Sequence, residues 1–326
     1  DLYRAVVKGN PGSLATVSAA LYLLDRAADL KATPAEAEGW AAAAVKAADR
    51  YGPRLVADTA DKVAAAALDV DGLAPLAAVY ARAAAADDTA PPARRVRVLT
   101  TLAAAEEKVG QKEAAATVRA TIAKLDAELD AAYRKAVPPF KPEPFAGRKD
   151  AAANRVAVLE LFTGTQCPPC VAADVAADAL IAAYPPAALV VLQYHEHIPG
   201  PDPLTNPTSV ARMDYYRDRF EDQVRGTPTA VLNGTPTDVD GGGMEDAKEK
   251  FGEYRKRIDP LLEKSSAVRL TGSAARAGDA VTVGVGVGGP ADPAATVKLR
   301  LFLVEDEVRY AGGNGVRFRH HVVRGV

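Results

Sequence analysis

The stretch Val156-Ala157-Val158-Leu159-Glu160-Leu161-Phe162-Thr163-Gly164-Thr165-Gln166-Cys167-Pro168-Pro169-Cys170 decides how the chain is read. Its first seven residues form a short, nearly continuous apolar run, the writing of a central strand buried on both faces. A helical pattern follows from about Pro168 to Tyr184 and is stopped by Pro185-Pro186. Residues 188–194, Ala-Leu-Val-Val-Leu-Gln-Tyr, are a second apolar strand. Strand, helix and strand within about 40 residues make a βαβ unit with parallel strands. Cys167 therefore falls between a strand end and a helix start.

That position matters because the thiolate, and not the thiol, attacks a disulfide. A helix N-terminus offers free N–H groups and the positive end of the dipole, both of which favour a negative sulfur. Cys170 follows one turn later, placed to resolve a mixed disulfide. Pro168 and Pro169 carry no N–H, so the expected lowering of the Cys167 pKa is moderate. The chain has two cysteines in 326 residues, three positions apart. Chance, or a redox-inert bridge, also satisfies that spacing.

Upstream, residues 1–136 read as all helix: Ala-rich, with Leu and Val at helical spacing. Breaks fall at Asn10-Pro11-Gly12, Tyr51-Gly52-Pro53, Asp71-Gly72 and Pro91-Pro92, and roughly six helices, solenoid- or bundle-like, are expected. Val118, Ile122, Leu125 and Leu129 form one apolar stripe, and Trp40 is expected between helices. Residues 137–152 hold a Pro-rich linker, in which four prolines between Pro138 and Pro144 favour extended backbone.

Downstream of the βαβ unit come a Pro-rich loop (195–207), a helix (208–222) and a strand, Thr229-Ala230-Val231-Leu232. An Asn233-Gly234 turn, a short strand, Gly241-Gly242-Gly243 and a helix (244–264) complete a domain over 153–264. From 265 to 326 the writing alternates: Val268, Leu270; Val281, Val283, Val285, Val287; Val297, Leu299, Leu301, Leu303. Period 2 predicts strands with one buried face, hence a small sandwich-like β module, with Gly312-Gly313-Asn314-Gly315 as a turn. The fold class is thus multidomain: an all-α N-terminal domain, an α/β centre and a β module.

Bulk numbers narrow the function classes. The chain is 48% hydrophobic and 25% charged, with net charge −2 and pI near 6.2. No basic face suited to a phosphate backbone is evident, so no nucleic-acid partner is expected. No apolar run reaches the ~18 residues of a spanning helix, so no transmembrane segment is expected. No cofactor is called for.

The strand Val156–Phe162, the Cys167-Pro168-Pro169-Cys170 motif opening a helix, and Arg225-Gly226-Thr227-Pro228-Thr229 opening the next strand resemble the thioredoxin superfamily. The resemblance covers residues 153–264, and is nearest to secreted bacterial thioredoxin-like proteins that carry a β module after the redox domain. It implies that Pro228 is cis and lies against the dithiol, and that Thr227 offers backbone groups to a substrate. Thioredoxins proper have Trp where this chain has Gln166, and a buried Asp where it has Leu161. Glu160, one position earlier, faces the other side of a regular strand. It is a candidate proton relay for Cys170, or an acid holding the 163–166 loop.

His195 and His197 end a strand on a shared face, and with Cys167 and Cys170 would suit zinc or copper. His320 and His321 read as structural. The leading expectation is a thiol–disulfide oxidoreductase with Cys167 as nucleophile and Cys170 as resolving thiol. Its expected partners are protein thiols or disulfides and a redox partner protein, outside the cytoplasm. The alternatives are a metal-binding or metal-delivery protein, or a non-catalytic scaffold.

Overall fold

A computed structural model of the chain describes residues 1–289 and 298–326. They divide into two compact units, 1–133 and 134–326. The first boundary read from the sequence lies three residues further on, at 136.

The N-terminal unit is all helix: α1 (Leu2–Gly9), α2 (Leu14–Asp25), α3 (Pro34–Asp49), α4 (Pro53–Leu68), α5 (Ala74–Ala85), α6 (Pro92–Lys108) and α7 (Lys112–Ala136), whose last turn belongs to the second unit. Seven helices replace the roughly six expected: the breaks between α2 and α3 and between α6 and α7 were not among those read from the sequence. Prolines open α3, α4 and α6 in the first turn, where the missing N–H costs no helical bond. Thr33 and Glu36 close a capping box on α3. From α1 to α6 successive helices pack on one another, with α2 on α4 and α4 on α6 in addition. Their contact faces are mostly alanine, among them Ala20, Ala37, Ala41, Ala44 and Ala77, with Trp40 buried in the same cluster. Of the α7 stripe, Leu125 is buried and Val118, Ile122 and Leu129 are half-buried.

The second unit is mixed helix and sheet. Six strands run in the order β4-β3-β1-β2-β8-β7: β1 (Ala157–Thr163), β2 (Leu189–His195), β3 (Thr229–Leu232), β4 (Thr235–Pro236), β7 (Leu303–Arg309) and β8 (Phe318–Gly325). β1 and β2 are parallel, joined through α8 (Val171–Ala183), while β3 pairs antiparallel with β1. One sheet face, with Leu159, Leu161 and Val191, packs on α8 and on α10 (Ala247–Leu262). The other, with Phe162, Leu192 and Tyr194, packs on Met213 and Tyr216 of α9 (Pro207–Arg219). Both faces are covered, which is why β1 and β2 read as continuous apolar runs. Asn233 and Gly234 take positive φ between β3 and β4, the two-residue hairpin geometry.

The Pro-rich linker does not stand apart from the second unit: Phe140 and Phe145 pack on the α8–α10 core, and the Phe145 amide donates to Ala183 O. Nor do residues 265–326 form one sandwich-like module. β7 and β8 extend the six-stranded sheet, β8 running parallel to β2. β5 (Arg269–Ala277) and β6 (Ala280–Gly288) make a separate hairpin. Val281, Val283, Val285 and Val287 share one side of it, yet all are at least 40% exposed. Period 2 correctly gave the side they share, but no second layer of the described residues covers it. Val297 lies outside the described residues.

Candidate functional site

Cys167 ends the loop after β1, and Pro168–Cys170 form a single 3-10 turn that leads into α8. The two sulfurs are joined as a disulfide. Cys170 is fully buried and Cys167 is only 2% exposed, so the first sulfur is far less open than its helix-start position implied. Gln166, Pro168 and Pro169 are the exposed rim around it.

The loop that opens β3 meets this turn. Thr227 Oγ1 donates to Cys167 Sγ at 3.4 Å, and Thr227 O lies 3.7 Å from the same sulfur. The Thr227-Pro228 peptide is cis. From the other direction, Gly242 N donates to Pro169 O at 2.7 Å, and Gly242 O accepts from Ala172 N. A Cβ on Gly241 would stand 2.1 Å from Pro169 O and 2.9 Å from Pro228 Cγ, so only glycine lets this loop close on the turn.

The 163–166 loop is held by a cage that the sequence reading did not assemble. Asp202 Oδ2 accepts from Thr165 N at 2.6 Å, and Gln166 Nε2 donates to Pro201 O at 3.0 Å. Glu196 N donates to Thr163 O at 2.9 Å. Asn314 donates from Nδ2 to Gly164 O (3.2 Å) and Cys167 O (3.1 Å), and from its backbone to Thr165 O. The Gly312–Gly315 turn is therefore a turn, as read, and also a wall of the site.

Behind this cage lie buried ionisable groups. Arg319 of β8, fully buried, donates from Nη1 to Asp174 Oδ2 at 2.8 Å and from Nη2 to Asn314 Oδ1 at 3.0 Å. Asp174 sits one helical turn beyond Cys170. Burial pushes its carboxyl up to about 6, against the pull of Arg319. His195, also fully buried, places Nδ1 3.4 Å from Asp202 Oδ2, while its Nε2 finds no hydrogen-bond partner among the described residues. Burial holds its pKa below the ordinary imidazole value. Burial also raises Asp202, but hydrogen bonds from His195 and the Thr165 and Leu204 amides outweigh it and hold the carboxyl near 2. Asp174 and Arg319 carried one faint sequence signal. An acid stands within Val-Ala-Ala-Asp-Val-Ala-Ala, and a basic residue within a strand-like run.

Glu160 belongs elsewhere. It points to the α9 face and accepts from Arg212 at 2.7 and 2.9 Å, from Tyr194 OH at 2.9 Å and from Tyr216 OH at 2.5 Å. A carboxylate so fully engaged anchors α9 to β1; it neither holds the dithiol loop nor relays to Cys170. The parity of the strand had already separated it from Leu161 and the α8 face.

The histidines do not assemble with the cysteines. His195 is committed to Asp202, and His197 Nδ1 accepts from Asp202 N at 3.1 Å. Among the described residues no group of three or more His, Cys, Asp or Glu side chains is disposed to hold a metal ion. His320 contacts Asp178 (3.1 Å) and Glu307 (3.4 Å), and His321 lies against Val191 O.

No protein-family model matches the chain, and no curated protein does. A crystal structure of a structural-genomics target protein from Agrobacterium tumefaciens is similar over 52% of this chain and 70% of its own, at 23% identity and a TM-score of 0.34. Among the described residues no helix is long and apolar enough to cross a membrane.

Proposed function

We propose that the protein is a thiol–disulfide oxidoreductase on a thioredoxin-like scaffold, acting on protein thiols or disulfides through Cys167 and Cys170. The observation that carries this reading is the meeting of three distant pieces: β1, the dithiol turn that opens α8, and Thr227 at the start of β3, with its hydroxyl on the Cys167 sulfur. The resemblance drawn from the sequence called for that arrangement.

In the reducing direction, the Cys167 thiolate attacks one sulfur of a substrate disulfide and expels the other as a thiolate. Cys170 then attacks Cys167 Sγ, releases the second substrate thiol and closes the Cys167–Cys170 bond. The protein dithiol loses two electrons and the substrate disulfide gains them. A redox partner protein restores the dithiol, and the same steps in reverse oxidise a substrate. A polypeptide substrate would lie across Thr227 and Pro228, bounded by the exposed Gln166, Pro168 and Pro169. Such chemistry suits a compartment outside the cytoplasm, and that location is part of the proposal.

Reduction of insulin or a disulfide peptide tests it. Wild type is expected to turn over, Cys167→Ser to lose activity entirely, and Cys170→Ser to accumulate a mixed disulfide with substrate. Equal rates for wild type and Cys167→Ser would remove the reading.

A further inference from the structure

We infer that Asn314 is a positioning residue of the dithiol, and that the Gly312–Gly315 turn ahead of β8 thereby sets the redox equilibrium of Cys167 and Cys170. The inference rests on the exchange reading above and adds a residue to it.

Asn314 lies 147 positions from Cys167, yet its side chain has no idle polar atom. Both hydrogen bonds from Nδ2 go to the dithiol loop, at Gly164 O and Cys167 O. Oδ1 accepts from Arg319 Nη2 and from Val316 N. Arg319, pinned to Asp174 in the interior, thus dictates which way the amide faces: oxygen toward the guanidinium, nitrogen toward the loop. The backbone N–H of Asn314 adds a third bond, to Thr165 O. Gly312 permits this approach, because a Cβ there would stand 2.2 Å from Thr165 O.

The two carbonyls that Nδ2 holds are those that define the dithiol turns. Gly164 O also accepts from Cys167 N, and Cys167 O also accepts from Cys170 N, each at 3.2 Å. Asn314 therefore braces two successive turns, the second of which sets the separation of the sulfurs. In the oxidised protein the S–S bond constrains this segment regardless. In the dithiol the segment depends on its hydrogen bonds, and the Asn314 brace carries those to Gly164 O and Cys167 O. Removing it frees the dithiol more than the disulfide, so disulfide formation becomes entropically costlier. The dithiol is then favoured, and the couple becomes more oxidising.

Equilibration of the full chain with glutathione tests this, with Asn314→Ala and Asn314→Asp beside wild type. Asp keeps an oxygen for Arg319 and Val316 but loses both donors to the loop. Each variant is expected to shift the equilibrium constant toward the dithiol by about tenfold, ~30 mV for a two-electron couple. Asn233→Gly, which removes the bond from Val158 N to Asn233 Oδ1 at the far end of β1, is expected to lower stability and leave the constant unchanged. Folded Asn314 variants with the wild-type constant would overturn the proposal, as would a shift of equal size in Asn233→Gly. If wild type itself fails to exchange with glutathione, the oxidoreductase reading falls, a distinct result. Should neither Asn314 variant fold, the side-chain amide protons of Asn314 in wild type decide. Protection from exchange in both redox states supports the brace, and exchange at the free-amide rate refutes it.

Discussion

Asp174, Glu196 and Asp202 show how far three carboxyls in one neighbourhood can be driven apart. Burial raises Asp174 to about 6 and Glu196 to about 7, while donated hydrogen bonds hold Asp202 near 2. Each shift has its own consequence for stability. A carboxyl raised in the folded state keeps a proton that the unfolded chain has released. Asp174 and Glu196 therefore make stability fall as pH rises, over windows from 3.8 to about 6 and from 4.5 to about 7. Asp202 does the reverse: its contribution is complete above 3.8 and disappears as pH falls toward 2. Urea unfolding at stepped pH is expected to show a flatter decline between pH 5 and 7 (~2 units) in Glu196→Gln than in wild type. In Asp202→Asn part of the acid limb should vanish. Unchanged slopes in both variants would contradict this assignment.

Among elements, the Gly241–Gly243 loop is the one packed tightest on the dithiol turn. Gly241→Ala sets a methyl against the Pro169 carbonyl and is expected to cost about 1–3 kcal/mol, as overpacking does. Gly252, inside α10 with open space at its Cβ, is the counterpart: Gly252→Ala should add roughly 0.5–1 kcal/mol through helix propensity. Denaturation midpoints separate the two, and a stabilising Gly241→Ala would show that the loop is not seated on the turn. The same elements show what a sequence can carry. β1, α8, β2, β3 and the Asn233-Gly234 turn were legible within three residues, because local period and turn chemistry specify them. The meeting of Thr227 with Cys167 was legible only through resemblance. Arg319 left only the faint signal of a basic residue in a strand-like run, and Asn314 was not legible at all, since a bond across 147 positions leaves no trace in local pattern. The β6 valines expose the opposite limit: alternation tells which side chains share a side, but says nothing about whether a layer lies over it.

For the whole molecule, the division at 133/134 gives each unit its own apolar core, Trp40 with the helical alanines in one and the sheet in the other. Two cores of separate composition predict two unfolding transitions. Of the two midpoints seen by far-UV circular dichroism, reducing the disulfide should lower only that of the sheet unit and leave the transition also read by tryptophan emission where it was. A common shift of both would mean that the units melt as one. The chain has one tryptophan, and that indole is enclosed within the helical unit, while Gln166 stands at the position before the first cysteine. Indole brightness thus reports on the core of the helical unit. The oxidation state of Cys167 and Cys170 is therefore best counted chemically, by thiol labelling or by mass.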